Sequence, residues 1–247
     1  MSSNNPSIDP SAPFTRMTDR DTVLREIFDG LCVLLRPSIV CDIGAFNGDE
    51  SYRIANLLPQ AKICAFEASP RNFQQFFVEN TRFEKIPNFR IEHSAVSDMN
   101  GEISFNVLDA GAEGSDWRRA ANSILSRTDD IVGNSVTVNS ITLDSYFGAD
   151  RIDTNLFALW IDVEGALEKV LLGADHVLKR TLLIRTEVEW KELWTGQKLA
   201  PEMKALIESK GFMVFGDTFQ QNAYDQSDVV FINKNVLNLL AGDRCGH

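Results

Sequence analysis

One short segment, residues 39–49, restricts the possible folds more than any other part of the chain. It reads Ile-Val-Cys-Asp-Ile-Gly-Ala-Phe-Asn-Gly-Asp, an apolar run followed by a turn with two glycines. Gly44 and Gly48 lack a Cβ and tolerate unusual backbone dihedral angles. The pattern predicts a buried strand over residues 38–43 and a helix over residues 48–58. A unit of strand, tight turn and helix is typical of α/β proteins.

Apolar strands alternate with helical patterns along the rest of the chain. Strands are predicted at residues 61–67, 89–96, 156–162, 182–188, 212–219 and 229–233, and helices at residues 21–36, 201–210 and from Ser69–Pro70 onward. Residues 101–108 and 135–141 alternate apolar and polar positions, which predicts an extra antiparallel hairpin. The expected fold is therefore a doubly wound, Rossmann-like, mostly parallel seven-stranded sheet with a β-hairpin insertion.

Length and composition indicate one domain. The chain has 247 residues, of which 44% are hydrophobic, enough for one sizeable core. We expect one folded domain over residues 20–235, a disordered segment at residues 1–19 and a tail at residues 236–247. No apolar run is long enough to span a membrane, and the N-terminal residues lack the apolar stretch of a signal peptide. Four cysteines without metal-ligand spacing fit a reducing, cytoplasmic location.

The charge of the chain limits the classes of partner that it is expected to bind. Its net charge is −11 and its pI is about 4.8. Binding to a polyanion depends on Lys and Arg side chains that neutralise phosphates, so a nucleic-acid partner is not expected. We likewise expect no membrane partner. A small or neutral ligand, including a carbohydrate, is favoured, and formation of a homo-oligomer is left open.

Acidic and small residues follow several of the predicted strands. Ligands of doubly wound sheets bind at the carboxyl ends of the strands, so Asp42, Glu67, Ser94–Ala95 and Asp162 should face one cleft. A carboxylate such as Glu67 can accept both hydroxyls of a ribose, although it could also be a solvated surface residue. The spacing of the glycines differs from the G-x-G-x-x-G pattern of dinucleotide-binding proteins, which disfavours that alternative.

Asp162 and Glu164 form a second acidic pair at the end of a nearly all-apolar strand. They could cap the following helix, since anions favour helix N-termini, or they could lie beside reacting atoms. Glu187, Glu189 and His93 are further candidates for a general base. Two or three carboxylates that converge on one cleft could also hold Mg²⁺ or a similar hard cation.

An ordered series of motifs resembles the FkbM methyltransferase family. The motifs are VCDIGAFNGD (40–49), AFEASPRNF (65–73), NSIL (122–125), SITLDSYF (140–147), LWIDVEGA (159–166) and VLLGA (170–174). The resemblance implies a class I, S-adenosylmethionine-dependent O-methyltransferase that acts on a hydroxyl of a small molecule, a sugar or a secondary metabolite. An N-methyltransferase and a cofactor-binding protein without turnover remain alternatives.

Carried over by position, the resemblance implies that Asp42, Gly44 and Glu67 hold the cofactor and that Asp162 and Glu164 form the signature after the apolar strand at residues 156–162. The positions at the strand ends complete the expected site. The expected cofactor-binding residues are Asp42, Gly44, Ala45, Asn47, Glu67, Ala68, Ser94, Ala95 and Asp162. The expected catalytic residues, which are also the candidate metal ligands, are Asp162, Glu164 and Glu187. The chain departs from the family at Leu167, where members usually carry an acid, and its nearest acid is Glu168.

Two further segments could belong to an acceptor site. Trp190 and Trp194 lie four residues apart, so in a helix they would share one face; they would then either wall an acceptor pocket or pack in the core. The polar segment at residues 109–134 is long enough to act as a lid, and we predict that it is mobile without ligand.

Overall fold

The computed structural model describes residues 19–108, 116–129, 131, 133–217 and 225–236. Its strands are β1 Ile39–Ile43, β2 Lys62–Phe66, β3 Phe89–Glu92, β4 Ala95–Val96, β5 Gly101–Leu108, β6 Gly133–Ile141, β7 Phe157–Ile161, β8 Thr181–Glu189, β9 Phe212–Asp217 and β10 Gln226–Asn233. Its α-helices are α1 Asp19–Leu35, α2 Asp49–Leu57, α3 Pro70–Phe73, α4 Asp116–Ala120, α5 Leu143–Phe147, α6 Ala149–Thr154, α7 Leu167–Leu172, α8 Asp175–Lys179 and α9 Ala200–Ser209. A π-helical turn at Gln74–Val78 and a 3-10 turn at Thr81–Phe83 follow α3.

Seven strands form the main sheet in the order β3-β2-β1-β7-β8-β10-β9. β1 pairs in parallel with β2 and with β7, and β10 runs antiparallel to β8 and β9. The chain builds outward from β1 to β3 on one side and then crosses to β7, so the strand order reverses between β1 and β7. This confirms the predicted doubly wound, mostly parallel sheet, and ligands of such sheets bind at the point of reversal.

Apolar side chains cover both faces of the main sheet. Ile39, Cys41 and Ile43 of β1 pack against the helices α5 to α9, whereas Val40 packs against α1 and α2. Successive side chains of a strand point to opposite faces, so Asp42 lies on the same face as Val40. The alternation of side chains along β1 therefore directs the Asp42 carboxyl toward α2.

The predicted hairpin is confirmed, but the third predicted strand is divided. β5 and β6 pair antiparallel along their whole length, and β4 joins β6 to give a three-stranded second sheet. The prediction of one strand over residues 89–96 is wrong, because β3 ends at Glu92 and the chain leaves the edge of the main sheet at His93 and Ser94. Hydrogen bonds to β6, which is distant in sequence, decide where Ala95 and Val96 pair.

Three of the four cysteines and the helices given above lie among the described residues. Cys32, Cys41 and Cys64 are buried free thiols; Cys245 lies outside the described residues. None of the helices in the described part combines the length and the apolar content that crossing a bilayer requires. The expected segments at residues 1–19 and 236–247 fall almost wholly outside the described residues, so the domain division stays a prediction.

Candidate active site

A cleft opens at the carboxyl ends of β1, β2 and β7. It encloses about 500 Å³ when its solvent-open part is counted. It is lined by Ile43, Gly44, Phe46, Phe66, Glu67, Ala68, Ser94, Ala95, Val96, Phe105, Ala120, Asn122, Ile124, Asp162, Val163 and Ala166. The predicted residues Gly44, Glu67, Ala68, Ser94, Ala95 and Asp162 are thus brought together, whereas Asp42, Ala45 and Asn47 lie outside this lining.

Gly44 allows two loops of the cleft to touch. Its φ is 86°, and a Cβ there would lie 1.7 Å from the carbonyl oxygen of Asp162. Any side chain would therefore push the end of β1 away from the end of β7. A glycine is therefore needed at this position for contact with the protein's own backbone.

Asp42 supports the glycine turn from behind the cleft. The side chain is 1% exposed, and the Ser51 hydroxyl donates to Oδ2 over 2.5 Å. Burial raises the pKa of Asp42 to about 7, although the Ser51 hydrogen bond opposes the shift. The Asn47 side chain bonds to Asp49 instead, and Ala45 is buried. Cofactor contacts of these residues stay predictions.

Glu67 presents a fixed carboxyl group to the cleft. The backbone N–H of Phe46 donates to Oε2 over 2.8 Å, and that of Ser69 donates to Oε1 over 2.7 Å. Because the side chain is 5% exposed, burial raises its pKa to about 7 against these hydrogen bonds. Each oxygen keeps a lone pair, so both can accept a hydroxyl group from a ligand.

The turn that reaches Glu67 is conformationally strained. Phe46 has a φ of 47°, a left-handed conformation that is uncommon outside glycine. The hydrogen bond from its N–H to Glu67 stabilises this conformation, and its ring packs edge-on against Phe76 at 5.3 Å. Strain of this kind persists only where the surroundings enforce it, so the geometry of the turn depends on Glu67.

Small side chains leave a flat space on the other side of Glu67. Ala68, Ser94 and Ala95 line the cleft there, and Phe105 of β5 packs behind Ala68 and Ala95. The second sheet thus forms a wall of the cleft. These small side chains leave room for a planar ring, and the cofactor contacts of Ser94 and Ala95 stay predictions.

Three carboxyl groups converge at the edge of the cleft. Single oxygen atoms of Asp162, Glu164 and Glu187 all lie within 4.8 Å of one another. Asp162 follows β7, Glu164 lies in the next turn and Glu187 is near the end of β8. The Asp162 side chain is exposed in the cleft, and the other two are partly buried. The structure therefore brings together the three acids that the sequence analysis selected.

Burial and mutual repulsion raise the pKa values of this acidic cluster. Burial raises the pKa of Glu164 to about 8, with further contributions from Asp162 and Glu189. Burial also raises the pKa of Glu187, and Asp162 and Glu164 add to the effect. The cleft walls raise the pKa of Asp162, although Arg185 opposes them. Carboxylates this close disfavour one another's ionised forms, which adds to the effect of burial.

Two other candidate bases point away from the cleft. Glu189 is 3% exposed and accepts the Gly165 backbone N–H over 2.9 Å. His93 stacks on Phe73 with a centroid distance of 4.3 Å, and burial lowers its pKa. Neither side chain lines the cleft, whereas Asp162 does.

Trp190 and Trp194 do not share a helix face, and Trp194 packs in the core, which was one of the alternatives. Residues 190–197 form turns and extended chain, because the Gln197 side-chain oxygen accepts the backbone N–H groups of Leu193 and Trp194 and holds the segment in a tight loop. The Trp194 side chain is fully buried. The Trp190 indole N–H donates to Ser227 over 2.8 Å. Neither ring lines the cleft.

Much of the predicted lid segment is attached to the domain. Ser123 exchanges backbone hydrogen bonds with Asn106 of β5. Thr128 donates its backbone N–H to Leu193 over 3.0 Å, and Ser126 accepts one from Thr195 over 2.7 Å. These bonds fix residues 123–128 in the described structure, whereas residues 109–115 of the predicted lid lie outside the described residues.

Leu167, where the family usually carries an acid, is a core residue in this chain. It begins α7, is 3% exposed and packs in the core on that face of the main sheet. Glu168 is partly buried on the same helix and does not line the cleft. An acid at position 167 would place a charge among apolar side chains, which is unfavourable without a partner.

The raised pKa of Glu67 predicts a pH-dependent stability. A carboxyl whose folded pKa is raised stabilises the fold below its unfolded pKa of 4.5, and this contribution is lost as pH rises through about 7. We expect Glu67 to lower the unfolding free energy by on the order of 2–3 kcal/mol between about pH 5 and 8. Urea unfolding of the cofactor-free protein measures this.

The matched control for that measurement is Glu67→Gln, which does not ionise. Its unfolding free energy should fall less over the same pH interval than that of the unaltered protein. Equal pH dependence in the two proteins would show that Glu67 titrates at its ordinary pKa and that burial does not raise it.

The strand order, the glycine turn after β1, the acid after β2 and the cleft at the reversal point define a class I methyltransferase, the class that uses S-adenosylmethionine. The chain belongs to the FkbM methyltransferase family, because the Methyltransferase FkbM domain matches residues 42–214. The resemblance stated from the motifs is thereby confirmed.

Two curated proteins and one solved structure illustrate what the chain is similar to. It is 27% identical over 168 residues to 2-O-methyltransferase NoeI of Sinorhizobium fredii, a match that covers 64% of this chain and 66% of NoeI. It is 27% identical over 222 residues to methyltransferase sdnD of Sordaria araneosa, with 79% and 83% coverage. Magnesium protoporphyrin IX methyltransferase (ChlM) from Synechocystis PCC 6803, solved with bound SAM, gives a TM-score of 0.46 at 10% identity, with 91% and 86% coverage.

Proposed function

We propose that the protein is an S-adenosylmethionine-dependent O-methyltransferase whose acceptor is a hydroxyl of a small molecule, a sugar or a secondary metabolite. One observation carries this proposal: Asp162 belongs both to the cleft lining and to the cluster with Glu164 and Glu187. Carboxyl groups are therefore present where the methyl acceptor must enter. The similarity to NoeI, described as a 2-O-methyltransferase, supports oxygen as the acceptor atom.

We infer an orientation of the cofactor from the residues that line the cleft. The Glu67 carboxyl accepts the two ribose hydroxyls, and Ala68, Ser94 and Ala95 flank the adenine ring. The sulfonium end then points toward Asp162 and Val163, which line the opposite part of the cleft. This orientation places the transferred methyl group next to the acidic cluster.

The proposed reaction is an in-line displacement at the methyl carbon. The acceptor oxygen forms a bond to carbon while the carbon–sulfur bond breaks and S-adenosylhomocysteine leaves. An alcohol is about as weakly acidic as water, with a pKa of about 15.7, so its proton must be removed as the new bond forms. We assign that proton to Asp162, because its carboxyl faces the open cleft, and a raised pKa improves a general base at neutral pH.

The same three acids fit a hard divalent cation such as Mg²⁺. Their oxygen atoms lie within 4.8 Å of one another, and carboxylates are the ligands that Mg²⁺ prefers. Gln226 donates to Oε1 of Glu187 over 2.6 Å, which helps to fix the position of that carboxyl. A cation held by Asp162, Glu164 and Glu187 would increase the acidity of a nearby hydroxyl.

Charge and cysteine content support the remaining parts of the proposal. A net charge of −11 favours a small-molecule or carbohydrate acceptor over a nucleic acid. The buried free thiols Cys32, Cys41 and Cys64 fit a reducing compartment, so we propose a cytoplasmic enzyme.

An acceptor panel tests the proposal. Purified protein is incubated with methyl-labelled S-adenosylmethionine and with methyl glycosides or the corresponding aminodeoxy glycosides, and release of S-adenosylhomocysteine is measured. Labelled hydroxyl groups are expected. Label on amines alone would favour an N-methyltransferase, and calorimetric cofactor binding without turnover on any acceptor would favour a binding protein. Loss of turnover after EDTA treatment, restored by Mg²⁺, would establish the cation.

A further inference from the structure

Glu164 and Gly165, which are joined by one peptide bond, both have an unusual backbone conformation. Glu164 has a φ of 48° and Gly165 a φ of 78°, so two consecutive residues are left-handed. Glycine adopts this conformation freely, but for glutamate it is strained by about 1 kcal/mol or more. The turn therefore needs support from its surroundings in order to hold the Glu164 side chain beside Asp162 and Glu187.

Two side chains from different parts of the fold bind the two polar atoms of this one peptide group. The Ser123 hydroxyl donates to the Glu164 carbonyl oxygen over 2.7 Å. The Gly165 N–H donates to Oε1 of Glu189 over 2.9 Å. Ser123 and Glu189 are 1% and 3% exposed, so water cannot easily replace either partner.

Both side chains are themselves firmly anchored. Ser123 exchanges backbone hydrogen bonds of 2.7 and 3.2 Å with Asn106, and its hydroxyl oxygen accepts the Leu125 N–H over 3.0 Å. Glu189 is the last residue of β8 and pairs with Gln226 of β10. The second sheet thus holds one end of the peptide group and the main sheet holds the other.

Trp194 closes the remaining side of the turn. A Cβ on Gly165 would lie 2.5 Å from Cδ1 of the Trp194 ring, so the indole packs directly against the glycine. Rotation of the Glu164–Gly165 peptide would break both hydrogen bonds against this ring. The observed conformation is therefore fixed on three sides.

We propose that Ser123 and Glu189 are positioning residues that hold the Glu164 carboxyl in the acidic cluster. The proposal rests on the proposed function for its catalytic meaning, but its structural content is independent of any acceptor. Ser123 belongs to the NSIL motif, to which the sequence analysis gave no role, and Glu189 acts through the Gly165 backbone and not as a base. Each one acts on the reaction only through Glu164.

The test compares Glu189→Ala with Glu189→Gln. Both variants remove the charge, but the glutamine oxygen can still accept the Gly165 N–H. Crystal structures of the full chain should show Glu164 displaced from Asp162 and Glu187 in Glu189→Ala and retained in Glu189→Gln. Turnover is then measured with the best methyl glycoside of the panel. We expect kcat to be about tenfold lower in Glu189→Ala than in Glu189→Gln, because one hydrogen bond contributes a free energy of that size. The KM for S-adenosylmethionine should be unchanged.

Ser123→Ala is the second variant, and Ser104→Ala on the exposed side of β5 is its matched control. Ser123→Ala should displace Glu164, whereas Ser104→Ala should not. The proposal is overturned if Glu164 keeps its place in both Ser123→Ala and Glu189→Ala, or if the alanine and glutamine variants at 189 have equal kcat. Absence of turnover in the unaltered protein would contradict the proposed function instead, and the crystal structures would still decide the positioning role.

Discussion

An Asp162→Asn variant is expected to lose most of its methyl transfer. Asparagine keeps the size of the side chain but cannot take a proton from the acceptor hydroxyl. Removal of a general base lowers turnover by about 10²–10⁴-fold, so kcat should fall within that range. Release of S-adenosylhomocysteine measures the loss, and calorimetry measures the affinity for the cofactor.

Glu168→Gln is the matched control for that variant. Glu168 is the nearest acid to the family position that Leu167 occupies in this chain, and it does not line the cleft. Its substitution should leave kcat unchanged. Full turnover by Asp162→Asn would exclude Asp162 as the base, and a large loss in Glu168→Gln would show that the displaced acid has taken over the family role.

A Glu67→Ala variant is expected to bind S-adenosylmethionine at least about 100-fold more weakly. It loses the two hydrogen bonds that the ribose hydroxyls donate to the Glu67 carboxyl in the proposed orientation. Hydrogen bonds to charged groups contribute about 1.5–3 kcal/mol each. It also leaves the backbone N–H groups of Phe46 and Ser69 without their acceptor, which should loosen the strained turn. Titration calorimetry with S-adenosylhomocysteine measures the change.

Glu92→Gln is the matched control for Glu67. Glu92 ends the neighbouring strand β3 in the same way, but its carboxyl accepts the Tyr146 hydroxyl over 2.8 Å and does not line the cleft. Its substitution should leave affinity for the cofactor within a few-fold of the original. If Glu67→Ala retained full affinity while remaining folded, the ribose could not be bound by this carboxyl.

Local patterns in the sequence were sufficient to predict which strand ends surround the cleft. The apolar run before Asp42, the glycines of the turn and the acids at positions 67 and 162 each belong to one strand and its end. Strands of a doubly wound sheet place such ends at one edge. The cleft and most of its predicted lining therefore followed from short segments and a general rule of topology.

The remaining features depend on contacts between distant segments. The division between β3 and β4 depends on pairing with β6, and the bond between Asp42 and Ser51 depends on the rotation of α2 about its axis. The spacing of Trp190 and Trp194 is compatible with a helix, but Gln197 holds the segment in a loop. Ser123 gave no local signal of its contact with Glu164, because the two residues meet only after both sheets have formed.

The central claim is that a nucleoside cofactor lies in the cleft with its ribose on Glu67 and its sulfur toward Asp162. A crystal structure of the protein with S-adenosylhomocysteine tests this most directly. The account predicts both ribose hydroxyls within hydrogen-bond distance of the Glu67 carboxyl and the sulfur atom facing the acidic cluster. A nucleoside bound elsewhere, or bound with its ribose away from Glu67, would contradict it.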